Sequence, residues 1–571
     1  MFFFLYFTLL SAKRYKNDAN IPVYGSKVSP FKNPFETYDF FSFPFCPYNG
    51  NDKEPPKRLA DAFFGNHLQR TSVTLNFKKD VNNSHLCKVD LNDQKRSKFK
   101  DAINRKFYYQ LYIDKLPVWS FVGAKGIKDN SLLYIFTRQH FTIYYNQNRI
   151  ISIFLNPEAP VSIESNSIEF SYTAEWKPTN QTKNQRIQNY NNNKFFMQSN
   201  PLSSVYSVKI LACVLIFLAI IFLIKSVSDD FSRFQKESEY NDFEFDFQYN
   251  NIEKGWKMVH ADVFRPPRQY MFLSILFGNG SQIFTALLLY FLITVIFGQY
   301  FDRSIYFNII IFSYSIAALV GGYFSAGLYK RWGGNNWIKQ LVASTYFVPS
   351  IFFTFEFILD GISLFEKTLK ISKIKPYIVL FLVLNIIILP LTIVGGIVGR
   401  HWFIIGPNPA RVSMVKRNIP RQPFYLNNIF VSFVIGSLSF LSVYAEIHSI
   451  LNALVQYQVN FVWMMSLLVL LLLTCVISCL TVFTVYKKLS AEDYEWQWIS
   501  FLGPFSISLF IYLYSIYYFN QYSAISGILQ FLYYFAYTSV LSLTVGIICG
   551  FIGFTVSALF VRRIYTNIKA D

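Results

Sequence analysis

The sequence predicts a membrane protein, an N-terminal lumenal β-sandwich-like domain followed by an α-helical bundle of nine transmembrane helices. Nine apolar stretches follow a polar block of about 200 residues, and each is long enough for the roughly 20 residues that a hydrocarbon core of about 30 Å requires. The chain is 52% hydrophobic, 19% aromatic and only 15% charged, more apolar than a single soluble core of this length needs. Its Phe and Tyr surplus suits rings seated at membrane interfaces.

From the N-terminus, Phe2 to Leu10 is an apolar run of nine residues followed by Ser11-Ala12 and Lys13-Arg14. It is too short to span and reads as an export signal over residues 1–12, cleaved after Ala12; an uncleaved N-terminal strand is the alternative. Residues 13–204 read as a soluble, β-rich lumenal domain. Thr71 to Phe77, Phe141 to Tyr145, Ile150 to Leu155 and Ser167 to Trp176 alternate or run apolar over strand lengths, with Asn, Asp, Gly and Pro between them. A β-sandwich buries such strands. Cys46 and Cys87 are the two cysteines of this domain, whereas Cys213, Cys475, Cys479 and Cys549 fall in spans. In an exported domain the pair permits one disulfide closing a loop of about 40 residues, worth about 3–4 kcal/mol; two buried free thiols are the other reading. Asn82-Asn83-Ser84 and Asn180-Gln181-Thr182 match the glycan acceptor pattern, so Asn82 and Asn180 are expected to be exposed. Asn279-Gly280-Ser281 matches too, but is placed at a cytosolic membrane edge, where it stays bare.

The spans are placed near Tyr206 to Ile224, Gln282 to Gly298, Ile305 to Tyr329, Trp337 to Leu359, Pro376 to Gly399, Ile429 to Tyr444, Val462 to Tyr486, Ile499 to Phe519 and Leu529 to Phe560. This divides the membrane half into a first helix (205–225), a cytosolic loop (226–281), the remaining eight helices (282–560) and a cytosolic tail (561–571). With the first domain outside, the inner loops carry twenty Lys and Arg residues, and the outer loops carry five: Arg303, Lys367, Lys370, Lys373 and Lys375. The positive-inside rule therefore predicts a cytosolic C-terminus. Glu366 to Lys375, alternating apolar residues with lysines, reads as an interfacial segment.

A net charge of +19 raises nucleic acid as a partner. The positive residues are dispersed, with no basic block interleaved with stacking aromatics, which argues against it. No zinc spacing, phosphate loop or nucleophile elbow is present, and the six histidines form no ligand cluster in sequence. Neither enzymatic activity, a metal nor a cofactor is expected. The Cys475 and Cys479 doublet falls on one helical face, where packing is its expected role.

Gly255-Trp256-Lys257-Met258-Val259-His260-Ala261-Asp262-Val263-Phe264-Arg265-Pro266-Pro267-Arg268, followed by Met271-Phe272-Leu273-Ser274, resembles the signature preceding the second span in the nonaspanins, the transmembrane-nine superfamily or endomembrane protein 70 family. Ala491-Glu492-Asp493-Tyr494 with Trp496 and Trp498, Gly550-Phe551-Ile552-Gly553-Phe554 and the tail from Arg563 to Asp571 are similar to the same family. So are Pro44-Phe45-Cys46, Leu116-Pro117-Val118 and Phe170 to Trp176 in the first domain. The resemblance implies a protein cycling among Golgi and endosomes that sorts transmembrane clients, chiefly those with glycine-rich spans, and so serves adhesion or phagocytosis. Lys569 and Asp571 match the family's Lys-x-Asp ending, which implies a sorting signal read by the COPI coat. His260 is read as structural, pairing with Asp262 or a neighbouring loop.

Within the membrane half, Glu356 and Asp360 are four residues apart and share a helical face, with Glu446 near the same lumenal end. Charges in spans are costly and mark ion or substrate pathways; the competing reading puts Asp360 in the headgroup zone with the others reaching water. Gly321-Gly322, Gly395-Gly396, Gly399 and Gly553 read as close-packing points between helices. The Gly321, Gly322, Gly395 and Gly396 set is also a candidate groove for a client helix embedded in membrane lipid. Pro349 and Pro390 are candidate breaks lining a cavity. A carrier built on Glu356, Asp360 and Glu446, or a lumenal ligand receptor, are the competing functional classes.

Overall fold

The computed structural model describes residues 14–31, 36–48, 50, 68–114, 116–126, 132–182, 202–241, 255–297, 303–366, 374–404, 406, 408–456, 463–522 and 527–566. The export-signal reading over residues 1–12, and Lys569 and Asp571, lie outside them.

Two five-stranded sheets make the first domain. One contains β1 (Asn20–Pro30), β2 (Tyr38–Asp39), β3 (Gln69–Asn76), β5 (Phe107–Ile113) and β6 (Leu116–Phe121), in the order β2-β1-β5-β6 with β3 also on β1. The other contains β4 (Val81–Asp90), β7 (Gly123–Lys125), β8 (Leu133–Asn146), β9 (Arg149–Ser162) and β10 (Ser167–Pro178), in the order β4-β10-β8-β7 with β9 on β8. Ile21, Val23 and Leu75 of the first sheet share one core with Ile143, Ile153 and Trp176 of the second, so the sheets form a sandwich. A short helix, α1 (Asp93–Asn104), adds Phe99, Ala102 and Ile103 to that core. Pairing is antiparallel except between β10 and β8. β8 and β9 run well beyond the apolar stretches read from the sequence, because Pro157 and Pro160 continue β9 instead of ending it. Among the described residues that strand pairs only with β8, and a strand edge tolerates residues that lack an N–H.

The chain then turns helical. α2 (Leu202–Asn241), α3 (Tyr270–Phe297), α4 (Arg303–Arg331) and α5 (Trp337–Glu366) are long single helices. α6 (Ile374–Val383) continues through a π-turn at Leu384–Ile388 into α7 (Leu389–His401). α8 (Asn428–Leu441) and α9 (Tyr444–Gln456) are a bent pair. α10 (Trp463–Ser490), α11 (Trp496–Phe505), α12 (Ile507–Tyr522) and α13 (Ile528–Thr566) complete the bundle. Among the described residues eight helical stretches are long and apolar enough to cross a membrane, and nine when the bent pair counts as one span. The protein is thus an integral, multi-pass membrane protein with an N-terminal β-domain.

Three expectations require correction. The second membrane helix starts at Tyr270, not Gln282, so the intervening loop is shorter than residues 226–281. Gly278 to Gln282 look loop-like because they are small or polar, yet Asn279 and Ser281 are fully buried within the bundle, where helix carbonyls accept from both. Asn279 Nδ2 donates to the Ile275 carbonyl at 2.9 Å, Ser281 Oγ to that of Gly278 at 2.7 Å, and Gln282 Nε2 to Tyr314 on α4 at 3.3 Å. The Asn279 sequon therefore sits inside a helix rather than at a membrane edge. Neither proline breaks its span: Pro349 lies inside α5, and Pro390 follows the π-turn, which accommodates the hydrogen bond that proline cannot make. The bend falls instead between α8 and α9, at 65°. There Ser437 and Ser442 donate to the carbonyls of Val434 and Ser439 at 3.0 and 2.7 Å, competing with the helix's own ladder.

Candidate functional site

The signature segment forms the hub of one end of the bundle. Gly255 opens a short 3-10 turn, Gly255–Val259, at φ +77°, a conformation that favours glycine. Trp256 packs edge-on against Tyr565 at 5.7 Å, and the Tyr565 hydroxyl donates to the Trp256 carbonyl at 2.7 Å. Phe264 meets the same tyrosine at 6.0 Å, so the end of α13 is clamped to the signature. Pro266 and Pro267 carry the chain in non-helical form towards α3, Pro266 exposed and Pro267 half-buried.

Asp262 organises the polar contacts. It is 4% exposed, and its Oδ1 accepts from Arg265 Nε at 3.0 Å and from Arg265 Nη2. Its Oδ2 accepts the Arg417 backbone N–H at 3.3 Å. Arg265 also donates to the Ser413 carbonyl at 2.8 Å, and the Ser413 N–H donates to the Ala261 carbonyl at 3.0 Å. Arg417 in turn donates to Glu492 at 2.9 Å and to the Met258 carbonyl at 3.3 Å. The third loop closes on the same segment: Trp496 Nε1 and Gln497 Nε2 donate to the Val263 carbonyl at 2.9 and 3.1 Å, and Trp498 Nε1 donates to that of Arg268 at 2.8 Å. Beneath it Lys488, 2% exposed, pairs with Asp493 at 2.9 Å and donates to Asn428. Burial, with Glu495 and Asp262 nearby, pushes the Tyr494 hydroxyl above its ordinary range. His260 Nδ1 lies 3.0 Å from the Lys257 carbonyl rather than against Asp262. Buried carboxylates paired this way hold segments in register. The sequence named Glu492, Asp493 and Trp496 only as part of a motif, and Arg417 and Lys488 only as loop charges; nothing local announces their partners.

The intramembrane acids occupy different surroundings. Glu356 is buried on α5. Asp360, half-buried, accepts from the Tyr377 hydroxyl of α6 at 2.6 Å. Glu446, 9% exposed on α9, has neither carboxylate oxygen hydrogen-bonded, and the charge acting on it is Lys209 of α2. The adjacent face of α9 is fastened to α12. His448 Nδ1 lies 2.8 Å from the Tyr514 hydroxyl, which donates to that of Tyr444 at 3.4 Å, and Tyr518 donates to Asn452. Among the described residues no three His, Cys, Asp or Glu side chains gather where a metal could be held.

The four glycines of the candidate client groove are filled by the chain's own helices. A side chain at Gly322 would meet the Thr392 carbonyl and Gly396 amide of α7, and one at Gly395 would meet the Leu319 backbone of α4. Gly321 faces Gln282, and Gly396 faces Leu341. Close backbone approach drives association where water is absent, and here both partners belong to one chain. These positions form no open groove.

In the β-domain, Cys46 and Cys87 form a disulfide with Cα atoms 5.8 Å apart. Asn82 and Asn180 are exposed. Glu36, 2% exposed, pairs with Arg105 and accepts from the Tyr38 hydroxyl at 2.7 Å. Burial and that carboxylate together push the Tyr38 hydroxyl well above its ordinary range, and burial raises Tyr109 to about 12.

The family model described as Endomembrane protein 70 matches residues 37–528. Transmembrane 9 superfamily member 4 of Arabidopsis thaliana is 30% identical over 98% of this chain and 95% of its own length. Transmembrane 9 superfamily member 1 of Pongo abelii is 26% identical over 98% of this chain and 94% of its own. A Dictyostelium discoideum protein with "phagocytic receptor 1b" in its name is 30% identical over 98% and 95%. No solved structure matches the chain.

Proposed function

Because the chain belongs to the endomembrane protein 70 family, the transmembrane-nine superfamily, we propose that it is an endomembrane sorting protein that helps deliver other membrane proteins, chiefly those with glycine-rich spans, to membranes or the cell surface. Through those clients it serves adhesion or phagocytosis. The observation that carries this reading is likeness along almost the whole chain to transmembrane-nine members and to a relative named for phagocytic reception. In this reading the β-domain faces the lumen of Golgi and endosomes, the signature end and tail face the cytosol, and Lys569 and Asp571 engage the COPI coat. Since the internal glycines are occupied, a client helix meets the outside of the bundle. There α2 is the span with the smallest buried share, only 17% of its apolar window, and Ile210, Phe217 and Ile224 are exposed on it. Proximity labelling in cells, with captured proteins sorted by the glycine content of their spans, should enrich glycine-rich clients over those captured by an unrelated Golgi resident. Equal glycine content in the two sets would refute the reading.

One observation favours a second reading, an ion-coupled carrier: the buried Glu446 carboxylate, neither oxygen hydrogen-bonded, beside a helix bend. Glu446→Gln separates the two. Client surface delivery stays near normal under sorting, whereas loss of delivery in a folded, normally located Glu446→Gln protein would favour the carrier.

A further inference from the structure

Arg331, at the end of α4, and Arg562, near the end of α13, line one narrow cleft with an interior of about 40 Å³, together with Trp332, Asn408, Trp496 and Phe554. That is room for a few waters or one small anionic group, not for a whole drug-sized ligand. The two guanidiniums repel each other as like charges. Three acids of this end are already committed elsewhere, Asp262 to Arg265, Glu492 to Arg417 and Asp493 to Lys488. Asp230 accepts from Tyr486 and Ser490, and Glu495 is exposed. Each arginine is instead held in place by uncharged groups. Arg331 lies over the Phe403 ring at 5.4 Å, and the Arg562 guanidinium rests against Gly406. A pair of like charges in a recess with no counter-charge among the described residues is unfavourable until an anion enters. Planar, weakly hydrated guanidiniums match the oxygens of a phosphoryl group.

We infer that this cleft binds a phosphoryl anion, either a lipid headgroup phosphate or a soluble phosphate ester, with Arg331 and Arg562 gripping it and Asn408 supplying an uncharged polar contact. The site is distinct from client sorting and would stand if that reading failed.

The test uses the full chain in uncharged detergent, titrated with a short-chain phosphatidylinositol phosphate and, separately, with inositol phosphate. Tryptophan fluorescence is the readout, since Trp332 and Trp496 line the cleft, with melting temperature read in parallel. The wild type should bind saturably and melt higher with ligand. Arg331→Gln and Arg562→Gln should each weaken binding about ten- to hundredfold, the loss expected for hydrogen bonds to a charged group. Arg563→Gln, at an exposed position, should not. Without ligand either cleft variant should melt no lower than wild type, because one of two repelling charges is gone. Asn408→Asp supplies an internal carboxylate and should abolish binding with the fold intact. Binding of the lipid alone assigns the site to a headgroup, and equal binding of inositol phosphate assigns it to a soluble anion. Absence of saturable binding to both probes, unchanged affinity in Arg331→Gln/Arg562→Gln, or a lower melting temperature for both single variants would overturn the inference.

Discussion

Substituting Gly322 with alanine tests whether the glycine pairs hold this bundle together or wait for a client. The new methyl would meet the Thr392 carbonyl and the Gly396 amide. Both are main-chain atoms in a helix, so the space opens only if α4 and α7 move apart. Forcing a methyl into such a contact costs about 1–3 kcal/mol. Gly361 on α5 provides the control, since nothing lies within 4 Å of a side chain there. Both substitutions remove a helical glycine and gain the same propensity of about 1 kcal/mol. That gain cancels between them, leaving about 1–3 kcal/mol, or roughly a five- to 150-fold difference in the folding equilibrium. Gly321→Ala should fall between, because its nearest contact, the Gln282 Cβ, stands 2.9 Å from the new methyl, whereas the Thr392 carbonyl stands much closer to one at Gly322. Thermal unfolding of the purified variants in one detergent should give the order Gly361→Ala highest, then Gly321→Ala, then Gly322→Ala. A Gly322→Ala protein as stable as Gly361→Ala would refute the packing argument. Lost client delivery in that stable protein would reinstate the groove.

Asp493→Ala strands the Lys488 ammonium, 2% exposed, with Asn428 as its remaining partner and should cost about 3–5 kcal/mol in thermal unfolding; the double replacement Lys488→Met with Asp493→Leu should recover most of it. Replacing Cys46 and Cys87 together with serine opens a bridge between residues 41 apart and should cost about 2–5 kcal/mol. Alkylation of both thiols in unreduced wild type would contradict the bond. Lys569→Ala with Asp571→Ala should shift the protein from Golgi toward the cell surface in fractionated cells. Unchanged retention would place the address in the spans instead.

The division into a β-domain and a bundle was legible because strand-length and span-length apolar runs differ by a factor of about four. Boundaries failed where a residue's usual environment was reversed. Pro157 and Pro160 marked an end from composition, yet a free strand edge lets β9 continue. Asn279 and Ser281 marked a loop, yet α3 carbonyls accept from both inside the bundle. β5 and β6 showed no alternation because the sandwich buries almost every position of both. The signature was visible as a string of residues, but its physical meaning was not. Arg265 bonds a carbonyl 148 positions away and Tyr565 one 309 positions away, separations about which local pattern is silent. The glycines were readable as close-packing points, whereas whether the partner was internal required the α4–α7 crossing itself.

Sorting and transport make opposite demands on the bend between α8 and α9. A carrier would need Glu446, two residues into α9, to reach water from either side in turn, which requires the bent segment to change its packing. Tyr444, His448 and Asn452 recur at four-residue spacing on α9 and face Tyr514 and Tyr518 of α12, which share that spacing. Such a ladder must break and re-form for α9 to move, and in hydrocarbon each vacated polar group is expensive. Sorting by contact with the outside of the bundle demands none of this, and a rigid ladder serves it. The bend is then a consequence of the serine-rich turn, and Glu446 is tolerated beside Lys209. The ladder residues, more than the carboxylate, therefore decide between the readings. Removing the Tyr514 and Tyr518 hydroxyls would weaken a scaffold but free a moving part.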